Sequence, residues 1–298
     1  MRLGDEGSDN FIDRTGRTGG GLGFGGGGGN ALGCLIPLVA SRFGVIGVLI
    51  LLLGYCALTQ LGGGGGLLPT GNPPATQQSD GGQSTLTPES RRVLSGVLRS
   101  TEVVWSDLFR RSGSTYQPVQ MVAYTNYDQS GCGAAQAAMG PFYCPTDKRI
   151  YIDPQFFEEL RSRFGAPGDF AQGYVIAHEV GHHVQDLLGT LDQASRAQAS
   201  SSRVEGNQIQ VGVELQADCY AGVWAANAKA PDGQPLLEPG DIEEGMRAAE
   251  AIGDDTLQRQ MQGRIVPESF THGTSEQRMA ALRRGLQTGD PNACQSAR

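Results

Sequence analysis

Two histidines four positions apart, His178 and His182, enclose Glu179-Val180-Gly181 and restrict this chain more than any other feature of its 298 residues. Positions i and i+4 lie on one face only if the backbone is an α-helix. The approach Tyr174-Val175-Ile176-Ala177 is apolar, and the spacing predicts a helix over 170–188. Asp169 is read as its N-cap and Gly189 as the residue just past its end. Gly181, with no side chain, lets another segment approach the helix closely. On the shared face both imidazoles can converge on one ion, and Glu179 can reach a water on that ion. His183 points about 100° away around the helix and is read as a packed or exposed neighbour.

Two imidazoles leave a tetrahedral zinc one protein ligand short of a site that keeps its fourth position for water. The chain has four histidines, so the third ligand is sought among carboxylates. Glu214, in Glu214-Leu215-Gln216-Ala217-Asp218, lies on the next predicted helix, over 208–228. Asp218 sits one turn further along the same face, placed to accept a hydrogen bond from a ligating imidazole and fix its tautomer. His272 is the remaining histidine. It is read either as a donor to developing negative charge or as a loop residue capping a helix predicted at 275–286, with Arg278 bracing the same region.

The blocks H-E-V-G-H-H-V-Q (178–185), E-L-Q-A-D-C-Y-A-G-V-W (214–224), F-T-H-G-T-S-E-Q-R (270–278) and G-P-F-Y-C-P-T-D-K-R-I-Y-I-D (140–153) resemble the signature blocks of the neutral zinc metallopeptidase family of bacterial membrane-anchored proteins. Their order is similar to that of gluzincin peptidases, which carry H-E-x-x-H, then E-x-x-A-D, then T-H. The resemblance implies an α+β, zincin-like domain, mainly helical with a small sheet. It also implies one Zn2+ per chain on His178, His182 and Glu214, with a peptide or protein as substrate. Glu179 would serve as general base and His272 would match the T-H block. Two rivals keep the same ligands: an envelope module in which zinc is structural and the domain binds a partner, and a metal hydrolase of a non-peptide amide.

The rest of the chain bears on where such a domain would sit. Residues 43–61 read FGVIGVLILLLGYCALTQL without a charge, about the length that crosses a hydrocarbon core as a helix. Arg2, Arg14, Arg17 and Arg42 precede this run, and no Lys or Arg follows until Arg91. The positive-inside rule then predicts a single-pass anchor in a bacterial cytoplasmic membrane, with residues 1–42 cytoplasmic and the domain outside. Residues 62–86 are rich in Gly, Pro, Ser, Thr and Gln and are read as a flexible tether. The folded domain is expected over 87–298. A formal net charge of −8 argues against a nucleic-acid partner. Cys132, Cys144, Cys219 and Cys294 fall in the predicted outside domain. An even count in an oxidising compartment suggests two disulfides, for which Cys132–Cys144 and Cys219–Cys294 are favoured.

Thr87-Pro88-Glu89 predicts an N-capped helix to about residue 111, and 118–126 and 149–153 read as strands. The second strand is either a sheet edge that pairs with an extended substrate or a core strand. A short helix is expected at 156–164 and another at 241–251. Residues 190–207 are read as a mobile helical excursion.

Overall fold

In the computed structural model, which describes residues 1–17 and 83–295, the helix anticipated around His178 runs over Asp169–Leu187 and is buried on nearly every side. In chain order the elements are β1 (Phe11–Asp13), α1 (Pro88–Arg111), β2 (Gln120–Ala123), β3 (Tyr127–Ser130), β4 (Gly133–Gln136), β5 (Phe142–Cys144) and β6 (Arg149–Ile152). Then follow α2 (Gln155–Ser162), α3 (Asp169–Leu187), α4 (Thr190–Ala199), α5 (Arg203–Asn227), α6 (Asp241–Ala251), α7 (Asp254–Gln262) and α8 (Ser275–Thr288). The architecture is mixed α and β, mainly helical, with two small sheets. The predicted span at 43–61, and the tether up to residue 82, lie outside the described residues. Among the described residues no helix is long and apolar enough to cross a membrane.

The larger sheet has the order β1-β2-β6-β5, with β1, β2 and β6 parallel and β5 antiparallel to β6. Alternation of side chains splits its two faces. Met121, Ala123, Ile150 and Ile152 join the main core under the helices, while Val122, Tyr151 and Cys144 form a smaller cluster on the other face with Tyr124 and Ala135. The β3–β4 hairpin contributes Ala135 to that cluster, and Cys132–Cys144 ties it to β5. β6 is therefore an interior strand, which removes it as a substrate edge. β5 pairs with β6 alone in this sheet and takes the edge position.

The folded unit does not start near Thr87, because residues 1–17 are built into it. Phe11, Ile12 and Asp13 pair in register with Met121, Val122 and Ala123. Met121 donates its N–H to Asn10 O at 3.0 Å, and Arg14 donates to Ala123 O at 2.8 Å.

Helix α3 packs against α1, α4, α5 and α6. Phe170 stacks on Trp224 of α5 at 5.9 Å, and both are fully buried. Burying a large apolar side chain contributes roughly 1.5–3 kcal/mol. A Cβ on Gly181 would stand 3.0 Å from the carbonyl oxygen of Ala217, so α3 and α5 meet at backbone contact, as the sequence anticipated. The same device brings α5 onto α8. A Cβ on Gly222 would lie 2.2 Å from Leu282 O, and one on Gly285 would lie 1.9 Å from Cys219 O. Beside that crossing, Cys219–Cys294 pins the C-terminal turn to α5, so both favoured disulfides are present. Helix α5 starts earlier than expected, at Arg203. Ser202 and Glu205 form a reciprocal capping box there, which leaves only α4 of the predicted excursion as a separate helix. Gly168, not Asp169, occupies the cap of α3.

Candidate metal centre

His178 and His182 come from successive turns of α3, and Glu214 comes from the facing turn of α5. His178 Nε2 lies 3.1 Å and His182 Nε2 lies 3.5 Å from Glu214 Oε2. One ligand atom from each residue falls within 4.8 Å of the others, the separation three ligands of one ion require. His183, as read from the helix, points elsewhere: its Nε2 donates to Gln117 O at 2.7 Å and its ring packs against Tyr116 and Tyr143.

Each side chain of this cluster is held from behind. His178 Nδ1 donates to Asp218 Oδ1 at 2.7 Å, and Tyr174 OH donates to the same oxygen at 2.6 Å. Arg278, from the first turn of α8, grips Asp218 with two bonds, Nε to Oδ2 at 2.8 Å and Nη2 to Oδ1 at 2.9 Å. The Thr274–Gln277 capping box starts α8 where Arg278 faces α5. His182 Nδ1 lies 2.9 Å from Gln185 Oε1, so it carries the proton and leaves Nε2 free for a cation. The Gln185 amide reaches across to Val213 O and Gln216 Oε1, both at 2.8 Å. Gln210 donates to Glu214 Oε1 at 2.9 Å, fixing the oxygen that faces away from the imidazoles. Asp218 thus makes the imidazole hydrogen bond its position predicted. Tyr174, Gln185 and Gln210 were not singled out, although Tyr174 is one turn before His178 and Gln185 is three residues after His182.

The electrostatics follow from burial and these contacts. Burial alone would raise the Asp218 carboxyl, but Arg278 and His178 pull it down to about 2. Burial would lower His178, yet Asp218 and Glu214 outweigh it and lift the metal-free imidazole to about 10. His182 is raised by Glu214 against the same burial cost, and Glu214 is held well below the carboxylate range by the two histidines. Two nitrogens and one anionic oxygen, with their tautomers set from behind, are a donor set that zinc accepts. The residues present fit the metal.

Glu179 is 7 % exposed and lines a cavity of about 510 Å³ that the ligands also border. Phe142 and Tyr143 of β5 form part of its wall, with Phe156 and Leu191. His272 lies on the same cavity and is 51 % exposed on its side chain. The helix after it is capped by Thr274, so His272 is not the cap of α8. Asp254, at the start of α7, organises the loop. Its Oδ2 accepts the N–H groups of Thr271, His272 and Gly273, and its Oδ1 is 3.3 Å from His272 Nδ1. Burial would raise the Asp254 carboxyl, but His272 and these N–H groups hold it below its usual range. A larger groove of about 1610 Å³ runs along Trp105, Ile209 and Tyr220 and borders none of the three ligands.

A buried helix carrying two imidazoles with a glutamate between them, completed by a carboxylate from a second helix, defines a candidate metal centre of the H-E-x-x-H class. The chain belongs to the family described as "Putative neutral zinc metallopeptidase", whose model matches residues 1–297. It is 45% identical over 288 residues to a relative from Escherichia coli (strain K12) named Uncharacterized protein YpfJ, covering 96% of this chain and 95% of the relative. It is 44% identical over 214 residues, 69% of each chain, to Uncharacterized protein Rv2575 of Mycobacterium tuberculosis and Uncharacterized protein Mb2605 of Mycobacterium bovis. No solved structure matches the chain.

Proposed function

We propose that this protein is a zinc-dependent peptidase. The observation that carries the reading is the convergence of His178, His182 and Glu214 beside Glu179 at the wall of one cavity. His178, His182 and Glu214 would hold the cation. When bound in such a site, zinc polarises a carbonyl oxygen and lowers the pKa of a water from 15.7 to about 7.

The remaining work falls to the chain's own groups. Glu179 takes the proton of the attacking water and passes it to the leaving amine. His272 borders the same cavity and would offer an N–H to the oxygen that gains negative charge, with Asp254 beside its Nδ1. The edge strand β5 offers its unpaired side to an extended peptide, as an added strand beside the cavity. Asp218, Tyr174 and Arg278 position His178, and Gln185 positions His182.

Digestion of mixed peptides and of cell-wall muropeptides, with and without a chelator, tests the reading. Chelator-sensitive cleavage of peptides supports it. Cleavage of muropeptides alone points to a non-peptide amide, and no cleavage by zinc-loaded protein points to a binding module. Glu179→Gln should abolish hydrolysis while zinc content stays near one per chain; a variant cutting at the parental rate removes Glu179 from this role.

A further inference from the structure

Residues 1–17 and the metal-site domain share one sheet, which bears on how the chain meets a membrane. The N-terminal segment is fastened along its whole length. Ser8 Oγ and Asn10 Nδ2 donate to Glu102 Oε1 at 2.5 and 2.8 Å, and Glu102 is only 5 % exposed. Without that segment a buried carboxylate would lose two of its donors, a cost of the order of 1–3 kcal/mol or more. Leu3 packs on Gly96, and a Cβ on Gly7 would meet Ser95 Oγ at 2.3 Å. Arg14 pairs with Asp128 at 3.0 Å, so this cation of the N-terminal cluster is already neutralised inside the fold.

The chain also leaves and re-enters the domain at one neck. Thr85 N–H donates to Thr15 Oγ1 at 3.0 Å, and Thr125 Oγ1 donates to Thr15 O at 3.0 Å. Ser84 Oγ donates to Asp13 Oδ2 at 2.5 Å, and Arg91 pairs with the same carboxylate. A single crossing by residues 43–61 would separate positions 17 and 83 by a hydrocarbon core of roughly 30 Å. Hydrogen-bond contact between Thr15 and Thr85 does not permit that separation.

We propose that residues 1–17 and the metal-site domain lie together on the outer side of the cytoplasmic membrane. Two disulfides in the folded unit place it in an oxidising compartment, and β1 must go where β2 goes.

The test uses the full chain with Cys34→Ser and Cys56→Ser, carrying one added cysteine at an exposed position: Asp9→Cys beside β1 or Gln262→Cys in α7. Intact cells with an opened outer envelope are treated with a membrane-impermeant maleimide, and lysed cells serve as the reference. The helical content of each purified variant is read by circular dichroism, to show that the label reports a folded chain. Labelling of both positions in intact cells to the level reached after lysis is the expected result. Labelling of Gln262→Cys alone would restore a single crossing and overturn the proposal. Labelling of Asp9→Cys alone, or of neither, would overturn it as well, since the domain would then be inside.

Discussion

Replacing Arg278 by methionine keeps most of the side chain's length and removes its charge. The arginine is 3 % exposed, and its partner Asp218 is fully buried. In the variant the Asp218 carboxylate retains His178 Nδ1 and Tyr174 OH but loses both guanidinium bonds, and Ile252 O loses a donor at 3.2 Å. Breaking a buried ion pair from one side costs about 3–5 kcal/mol, a large share of a typical total near 5–15 kcal/mol. Urea unfolding of metal-free protein should show that loss, with Arg161→Met as the control. Arg161 pairs with Glu158 on the surface and its removal should cost under about 1 kcal/mol.

The acid limb adds a second readout for Arg278→Met. Asp218 is lowered on folding from an ordinary 3.8 to about 2. Its stabilising contribution is therefore complete above the unfolded value and disappears as pH falls through about 2. Without Arg278 that disappearance should begin at higher pH. The double variant Asp218→Leu, Arg278→Met should lose less than the sum of the two single losses, because neither charge is then left alone. A loss for Arg278→Met no larger than that of Arg161→Met would refute the argument.

Three further outcomes are expected. Glu214→Gln keeps the shape of the ligand but removes its charge, so zinc per chain measured after dialysis should fall well below one; full occupancy would strike Glu214 from the ligand set. Loading zinc into metal-free protein at pH 7 must expel the proton of His178, which is held up to about 10, so affinity should fall as pH falls. Titration calorimetry in buffers of different ionisation heat should count about one proton or more released per cation, and a count of zero would contradict the metal-free charge state of His178. Gly285→Ala drives a Cβ to 1.9 Å from the Cys219 carbonyl oxygen and should cost about 1–3 kcal/mol or more. Gly206→Ala, in α5 with nothing near it, should instead stabilise by up to about 1 kcal/mol, and equal effects of the two would deny the close helix crossing.

The pairs that build the His178, His182 and Glu214 cluster were legible because each pair is local. Helical periodicity fixes His178 against His182 and Glu214 against Asp218, and the capping signal of Thr87 marks where α1 begins, whereas the Thr274 cap of α8 was not read. Elements whose stability is wholly tertiary were not legible. Strand β1 is three residues long in a polar, glycine-containing stretch, and its partner lies more than a hundred positions away. Strands β3 and β4 carry Tyr127, Asp128, Gln129 and Gly133, with no apolar alternation to betray a hairpin. Asp254 sits in an Asp-Asp pair at a helix start, where acidic residues are ordinary; only the fold brings the 271–273 loop onto it.

The neck and the metal centre occupy opposite margins of the main sheet. Thr15 follows β1 at one edge, the cavity borders β5 at the other, and three strand spacings of about 4.8 Å separate them. Any pull exerted through residues 18–82 therefore enters and leaves at adjacent points, like both ends of a drawstring. Thr15, Thr85 and the Asp13–Arg91 pair lie at that point, three strands from the cavity.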